Sequence, residues 1–257
     1  MRKLVTTLVF AIAASGTSRA SVDLNTWTEE TYGGGATWTV SGGGTSVLQS
    51  QNGDPTMFYS DFNAQGTDVR GKIKVETSGD DDFIGFALGF NPGDSTSTAA
   101  DYLLVDWKKA NQFWDFGGAT PGGTGYEGLA VSRVTGTPTY NEFWQHANHA
   151  ANTSGGLNEL ARGATLGSTG WVTNTEYEFR FIFTPTNLQV FVDDVLQMNV
   201  SGAFADGRMA FYNFSQSTVR YSAFTVEPAA VPEPASFAMW SLLGGVGVIV
   251  HRRRRKA

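Results

Sequence analysis

Three consecutive carboxylates, Asp80, Asp81 and Asp82, are the densest group of anionic oxygens in the chain. Adjacent carboxylates repel one another, and a hard, oxygen-seeking ion such as Ca²⁺ relieves that repulsion. Side chains of an extended segment alternate, so Asp80 and Asp82 are expected to converge while Asp81 points away. Ca²⁺ takes about 6 to 8 oxygens, so further ligands must come from loop carbonyls, water, or Asp61, Asn63 or Asp101. Taken alone, the three residues read more simply as a solvated acidic turn ahead of a strand.

Other candidate groups carry less. GTDVRGK (66–72) matches G-x-x-x-x-G-K, but Ile73 stands where a magnesium-binding hydroxyl belongs and a strand follows where a helix should start. GTGYEG (123–128) spells G-x-G-x-x-G with no βαβ unit around it. His146 and His149, in FWQHANHAA, could share one face of a helical turn; no HExxH accompanies them, and they read as loop or surface residues. Glu176 and Glu178 would stand about 7 Å apart on one strand face, within the roughly 5–9 Å a glycosidase pair needs. They are, however, the polar half of an alternating strand, and E-x-D-x-x-E and G-x-S-x-G are absent. No catalytic residue is assigned. Trp38, Trp114, Tyr126, Tyr140 and Trp144 lie near loops, where an exposed ring stacks on sugar; core or rim packing accounts for most of them.

The elements that must position these groups read as strands. In TEYEFRFIF (175–183) Tyr177, Phe179, Phe181 and Phe183 alternate with Glu176, Glu178 and Arg180, and in GKIKVET (71–77) Ile73 and Val75 alternate with Lys72, Lys74 and Glu76. LQVFVDDVLQMNV (188–200) reads as a hairpin turning at Asp193 and Asp194. Further strands are expected at 83–90, 101–109, 129–134, 208–214 and 219–226, and 158–164 reads as a short helix or another strand. Segments 33–44, 91–100 and 117–125 read as surface loops. Many short strands separated by Gly, Asn, Asp and Pro imply an all-β, two-sheet antiparallel sandwich or jelly roll.

Composition agrees: 31 of 257 residues are glycine and 13% are aromatic, a balance typical of turn-rich β proteins. There is no cysteine, which excludes thiol catalysis, zinc–cysteine sites and structural disulfides. The two ends stand apart. MRKLVTTLVFAIAASGTSRA orders two cations, an apolar run and small residues as a secretory signal peptide cleaved after Ala20 does. Ala235 to Val250 is 16 residues without charge, rising about 24 Å as a helix against a hydrocarbon core of about 30 Å, and a basic tail follows it. The expected organisation is a signal peptide (1–20), one domain (21–228), a Pro-rich linker (229–234), an apolar membrane helix (235–251) and a basic cytoplasmic tail (252–257). Eight of the 18 cations lie in these ends, so the remainder keeps 10 against up to 24 acids, a charge near −14 in place of −6. No basic face remains for nucleic acid; divalent cations and neutral glycans are better partners.

Two resemblances sharpen these expectations. Pro232, Glu233 and Pro234, the apolar span, and Arg252, Arg253, Arg254 and Arg255 together resemble the PEP-CTERM sorting signal of Gram-negative bacteria. That implies export, transient anchoring in the inner membrane, cleavage by an exosortase-type processing enzyme, and association with exopolysaccharide or the cell envelope. Residues 77–112 resemble the C-terminal lectin-like domain of thrombospondins, through Asp80, Asp81, Asp82, Phe83, Gly85, Phe86, Gly89, Phe90, Tyr102, Trp107 and Lys108. It implies a concanavalin A-like jelly roll and a calcium site, and puts the cation site on an equal footing with the solvated turn. Residues 91–100 are an insertion against that pattern, and the aspartate-rich repeats that precede the thrombospondin domain are missing. The combined expectation is a non-catalytic, exported envelope or matrix protein whose lectin-like domain binds glycan or another envelope component, with calcium as the candidate cofactor. An exported carbohydrate-active enzyme and a structural coat protein without a specific ligand are the alternatives.

Overall fold

The structure, a computed structural model, describes residues 19–229. In chain order the first strands are β1 (Ala20–Ser21), β2 (Thr28–Thr31), β3 (Trp38–Ser41), β4 (Ser46–Gln49), β5 (Thr56–Asn63) and β6 (Thr67–Val75). They are followed by β7 (Phe83–Phe90), β8 (Asp101–Lys108), β9 (Gln112–Trp114), β10 (Gly123–Gly125), β11 (Gly128–Gly136) and the one α-helix among the described residues, α1 (Tyr140–Gln145). The chain closes with β12 (Gly155–Arg162), β13 (Glu176–Thr184), β14 (Asn187–Val192), β15 (Val195–Ser201), β16 (Arg208–Phe214) and β17 (Val219–Pro228). Residues 1–18, with the body of the expected signal peptide, and 230–257, with Pro232, Glu233, Pro234, the apolar span and the basic tail, lie outside the described residues. Among the described residues, no helix is long and apolar enough to cross a membrane.

Two antiparallel sheets form the expected sandwich. The front sheet has the order β12-β11-β8-β7-β16-β5-β2, and the back sheet β15-β14-β13-β6-β17-β4-β3, with β1 against β17. Ala20, expected to end the signal peptide, already pairs with Val226, and Arg19 reaches Glu227 at 2.6 Å and Asp68 at 3.3 Å.

The back sheet behaves as its period-two pattern requires. Phe179, Phe181 and Phe183 of β13 and Ile73 and Val75 of β6 turn into the space between the sheets, and the charged residues between them face outward. Glu176 and Glu178 on that outer face are engaged by Lys72 at 2.5 Å and Arg70 at 3.1 Å. The β14–β15 hairpin turns at Asp193 and Asp194, whose φ values of 49° and 61° are those of a type I′ turn. Segment 33–44, expected as a loop, contains β3: Trp38 and Val40 alternate with Thr39 and Ser41, a strand signal masked by the glycines on either side. Segment 117–125 likewise contains β10, and 158–164 resolves as part of strand β12 rather than a helix.

The central strands of the front sheet are apolar on both faces. Every residue of β7, FIGFALGF, is buried. Ile84, Phe86 and Leu88 enter the core between the sheets, whereas Phe83, Ala87 and Phe90 belong to a second apolar cluster on the outer side. Gly89 makes the late change of side possible: at φ 85° it forms a bulge against β16, so that Phe90 falls on the same face as Ala87. That second face is covered by a lid made of the β9–β10 ribbon and α1, which contributes Phe143, Trp144 and the partly buried Phe116.

Phe86 lies within 4.9 to 6.0 Å, between ring centroids, of Phe179, Phe181, Phe211, Tyr221 and Phe224. Truncating it leaves a cavity that rings on two sheets cannot close together. Phe86→Ala is expected to lose about 3–5 kcal/mol of stability, read as the shift in guanidinium unfolding midpoint, while Leu160→Ala on the exposed edge should cost well under 1 kcal/mol.

Candidate functional site

The acidic segment sits where β6 hands over to β7, and its backbone is pinned from several directions. Gln216 Oε1 accepts the Asp82 amide at 3.0 Å, Trp171 Nε1 donates to the Asp82 carbonyl at 3.0 Å, and the Lys109 amide donates to the Asp81 carbonyl at 3.1 Å. Carboxylate oxygens from Asp80, Asp81 and Asp82 all lie within 4.8 Å of one another. Asp81 therefore joins the group instead of pointing away, because the segment ahead of β7 is an irregular turn and does not alternate. Asp80 accepts hydrogen bonds from the Asp81 amide and from Asn52 Nδ2.

Asp82 is buried and bound to Lys108 Nζ, which is itself wholly enclosed. The same ammonium lies 3.5 Å from Asp81 Oδ1, 3.3 Å from Gln112 Oε1 and 4.3 Å from the centre of the Trp144 ring. Burial pushes the Asp82 carboxyl up to about 7; Lys108 pulls the other way, and Asp80 adds to the rise. The pocket beside this cluster has a volume of about 190 Å³ and is lined by Asn52, Asp80, Asp82, Gln112, Trp114 and Ser215, among others.

The other proposed ligands are elsewhere. Asp101 opens β8 and Lys108 closes it, which places Asp101 about 23 Å along the strand from the acidic corner. Asp101 is held by both Arg133 Nε and Nη2 at 2.6 Å. Asn63 faces Arg208, itself opposite Phe90 at the same far end, and donates to Asp206 at 2.9 Å. Asp61 is exposed on the same strand as Asn63. The structure thus brings Asp80, Asp81 and Asp82 together and leaves Asp61, Asn63 and Asp101 apart from them.

A second polar group lies under the lid, and sequence reasoning missed it. Helix α1 starts with a capping box: the Thr139 side chain accepts from the Glu142 amide, while Glu142 accepts from the Thr139 amide. The T-x-x-E spacing of Thr139 and Glu142 was the available signal. The helix ends with His146 in the left-handed conformation, φ 53°. His146 is buried, not a surface residue: its Nε2 meets Asp106 Oδ2 at 3.0 Å and its Nδ1 meets Glu159 Oε2 at 3.3 Å. Burial acts to lower its pKa, but the carboxylates of Asp106 and Glu159 outweigh it and raise His146 to about 9. Burial works to raise Glu159, yet hydrogen bonds from His146 and Arg162 hold it below its ordinary value. His149, in contrast, is half-buried and its ring takes no part in this group.

The loop aromatics also separate. Trp144 is buried in the second cluster and Trp38 stacks on Phe58 at 5.4 Å, whereas Trp114 (51%) and Tyr126 (57%) stay exposed, with Phe113 (66%) beside Trp114 on β9. Tyr140 is half-buried, 5.9 Å from Phe116.

Because the folded-state pKa of His146, about 9, exceeds its ordinary 6.5, the stabilisation it contributes is complete below about pH 6.5 and is lost as pH rises through 9. Unfolding free energy should fall by about 3 kcal/mol across that window. Denaturation at pH 6 and pH 9.5 measures the drop, and His146→Gln should abolish most of the difference between the two.

Comparison with known proteins places this architecture. Thrombospondin-2 of Gallus gallus is 28% identical over 197 residues, covering 72% of this chain and 16% of the chicken protein. Cartilage oligomeric matrix protein of Rattus norvegicus is 27% identical over 196 residues, covering 71% of this chain and 24% of the rat protein. The chain thus spans a quarter or less of these relatives' length. Among solved structures, the carbohydrate binding module CBM66 from Bacillus subtilis superposes with a TM-score of 0.52 at 11% identity, over 79% of this chain and 97% of that one. A galectin-like protein of unknown function from Bacillus subtilis gives 0.51 at 8% identity, over 82% and 94%; both show a shared fold. The family model of the thrombospondin C-terminal region matches residues 34–229, and this chain belongs to that family.

Proposed function

We propose that the domain is a non-catalytic, exported module of the cell surface or extracellular matrix that binds envelope glycan or exopolysaccharide at the acidic corner, with Ca²⁺. The observation that carries this reading is the juxtaposition, in one pocket, of half-exposed Trp114 with Asn52, Asp80, Asp82 and Ser215. An exposed indole offers a flat apolar face to a pyranose ring, and the side-chain oxygens and amides around it suit hydroxyl groups. The fold is shared with CBM66, a carbohydrate binding module.

The donor set fits a calcium ion in part. Asp80 and Asp81, both only partly buried, and the Asp82 oxygen that Lys108 leaves open would hold it, with Asn52 close by. Lys108 neutralises one charge of the three and engages one oxygen each of Asp81 and Asp82, which lowers the pull on a cation and leaves Asp80 and the second Asp81 oxygen as the more exposed donors. Bound there, Ca²⁺ would cancel the remaining mutual repulsion and give sugar hydroxyls a hard acid to coordinate. Asn52 and Asp80 are tied together, so the loop carrying Asn52 is set in place by the same residues.

Hydrolysis is outside this reading, since the one carboxylate pair that the sequence offered, Glu176 and Glu178, is spent on Lys72 and Arg70 on the outer face of the back sheet. Processing at Pro232, Glu233 and Pro234 by an exosortase-type enzyme would deliver the domain to the envelope after transient inner-membrane anchoring.

Calcium at 100 times its dissociation constant should stabilise the folded protein by about 2.7 kcal/mol. Asp80→Asn combined with Asp81→Asn should erase that rise in melting temperature while leaving the Asp82–Lys108 pair intact. On a glycan array, signal should depend on calcium, vanish in EDTA and weaken in Trp114→Ala. A blank array from folded, calcium-stabilised protein would overturn the glycan reading in favour of a coat protein without a specific ligand. Glycan cleavage abolished by one carboxylate substitution would instead make it an enzyme.

A further inference from the structure

On the opposite flank of the lid lies a larger cleft of about 590 Å³, which shares no lining residue with the acidic pocket. Helix α1 serves both, giving Trp144 to the acidic side and Gln145 and His146 to this one. The cleft is built on a chain of alternating charges that crosses three elements: Asp106 on β8, His146 at the end of α1, and Glu159 and Arg162 on β12. His146 connects the carboxylates at 3.0 and 3.3 Å, and Arg162 meets Glu159 in a two-point contact at 3.0 and 2.8 Å.

The local fold has been arranged to bring these groups together. Residues three apart on a regular strand face opposite sides, yet Glu159 and Arg162 share one. The β11–β12 register shifts between Val131 and Ser132: Ser132 pairs with Glu159 and Val131 with Ala161, so Leu160 is the extra residue of a bulge. Bulges re-aim side chains and are enriched beside functional sites. Arg162 also donates to the carbonyls of Glu127 at 2.8 Å and Gly167 at 3.0 Å, which ties both rims of the cleft to its floor.

The charge balance selects the ligand. Each ring nitrogen of His146 faces a carboxylate oxygen, an arrangement satisfied when both nitrogens carry protons. Two negative and two positive groups then cancel in the floor, and Glu127 at the rim adds the one charge left over. An anionic ligand would meet Glu127 and Glu159; a cationic one would find the carboxylates already engaged. What remains is the hydrogen-bonding capacity these contacts leave over, such as Ser168 Oγ, Asn111 Nδ2 and the accessible lone pairs of Glu159. Glu159 and Arg162 keep 28% and 29% of their side chains accessible. Asn111, Gln145 and Ser168 line the walls, and the exposed ring of Tyr126 stands at the rim. Beneath the cleft three buried polar atoms have no hydrogen-bond partner: Asp106 Oδ1, Ser132 Oγ and the Tyr212 hydroxyl. Register places them close, since Tyr212 faces Gly85, Gly85 faces Asp106, and Asp106 faces Ala130, two residues from Ser132. A buried ionic chain adds little stability over apolar packing of the same volume, so its retention at the floor of an open cleft suits recognition.

We infer that this cleft is a second saccharide site, specific for neutral, hydroxyl-rich sugars and independent of calcium, in which Tyr126 stacks on the ring and Glu159 and Arg162 read its hydroxyls. It extends the glycan-binding reading but stands on different residues. The test is saturation-transfer NMR and calorimetry on the full chain in EDTA, using a panel of neutral disaccharides built from glucose, galactose and mannose, alongside uronate and sulfated disaccharides. A neutral disaccharide should bind; Tyr126→Ala should weaken it at least tenfold, and Ser168→Trp, which fills the cleft from an exposed position, should abolish it. Trp114→Ala and Asp80→Asn/Asp81→Asn should leave it within twofold. No neutral binding at millimolar concentration, preference for the acidic sugars, or binding unmoved by Tyr126→Ala and Ser168→Trp would each overturn the assignment. Loss of the calcium-dependent signal with this binding retained would sink only the acidic-corner reading.

Discussion

The organisation of this domain follows from one constraint: the middle of its front sheet is apolar on both faces. A sheet strand presents alternate side chains to opposite sides, and β7 fills both with phenylalanine and aliphatic residues. One face is satisfied by the back sheet. The other needs a cover of its own, and the β9–β10 ribbon with α1 supplies it, closing Phe143, Trp144 and Phe116 over Phe83, Phe214 and Tyr212. This face is covered in the centre, and the two pockets open on the flanks of that cover.

Charged groups on that covered face are then tightly constrained. Lys108 and Asp106 lie on the lid side of β8, in line with Tyr102 and Leu104, and neither has access to solvent. A buried charge must be paired, so each sets the position of something on a different element. Lys108 organises the turn that carries Asp81 and Asp82, and the ring of Trp144 lies against it. Asp106 fixes His146, and through it Glu159 and Arg162. The polar groups beside the two flanking pockets are therefore both anchored on the same strand, one at its last residue and the other two residues before.

The thrombospondin C-terminal region family model matches residues 34–229, and the resemblance read over residues 77–112 falls inside that match. The insertion at 91–100 is anchored and not loose: the Glu30 carboxylate accepts from the amides of Gly93 and Ser95, both at 2.8 Å.

Much of this was legible from residue order. The alternation in β6 and β13, the Asp193–Asp194 hairpin, the two-sheet class and the clustering of Asp80 with Asp82 are all local properties, governed by the period of the strand and by turn chemistry within a few residues. Strand β3 and helix α1 escaped because their signals are short, four and six residues. Residues 101–109 read as a strand without a buried charge being assigned to Asp106 or Lys108, and His146 read as a loop or surface residue, because nothing within several positions of any of them reveals burial. Their partners are 40 and 26 residues away in the chain, and Asp106 meets His146 only once the lid has closed. Period and turn chemistry act between neighbours and are written in the chain itself; the pairing of a buried charge depends on which surfaces pack against each other, and that is decided only when the sheets and the lid assemble.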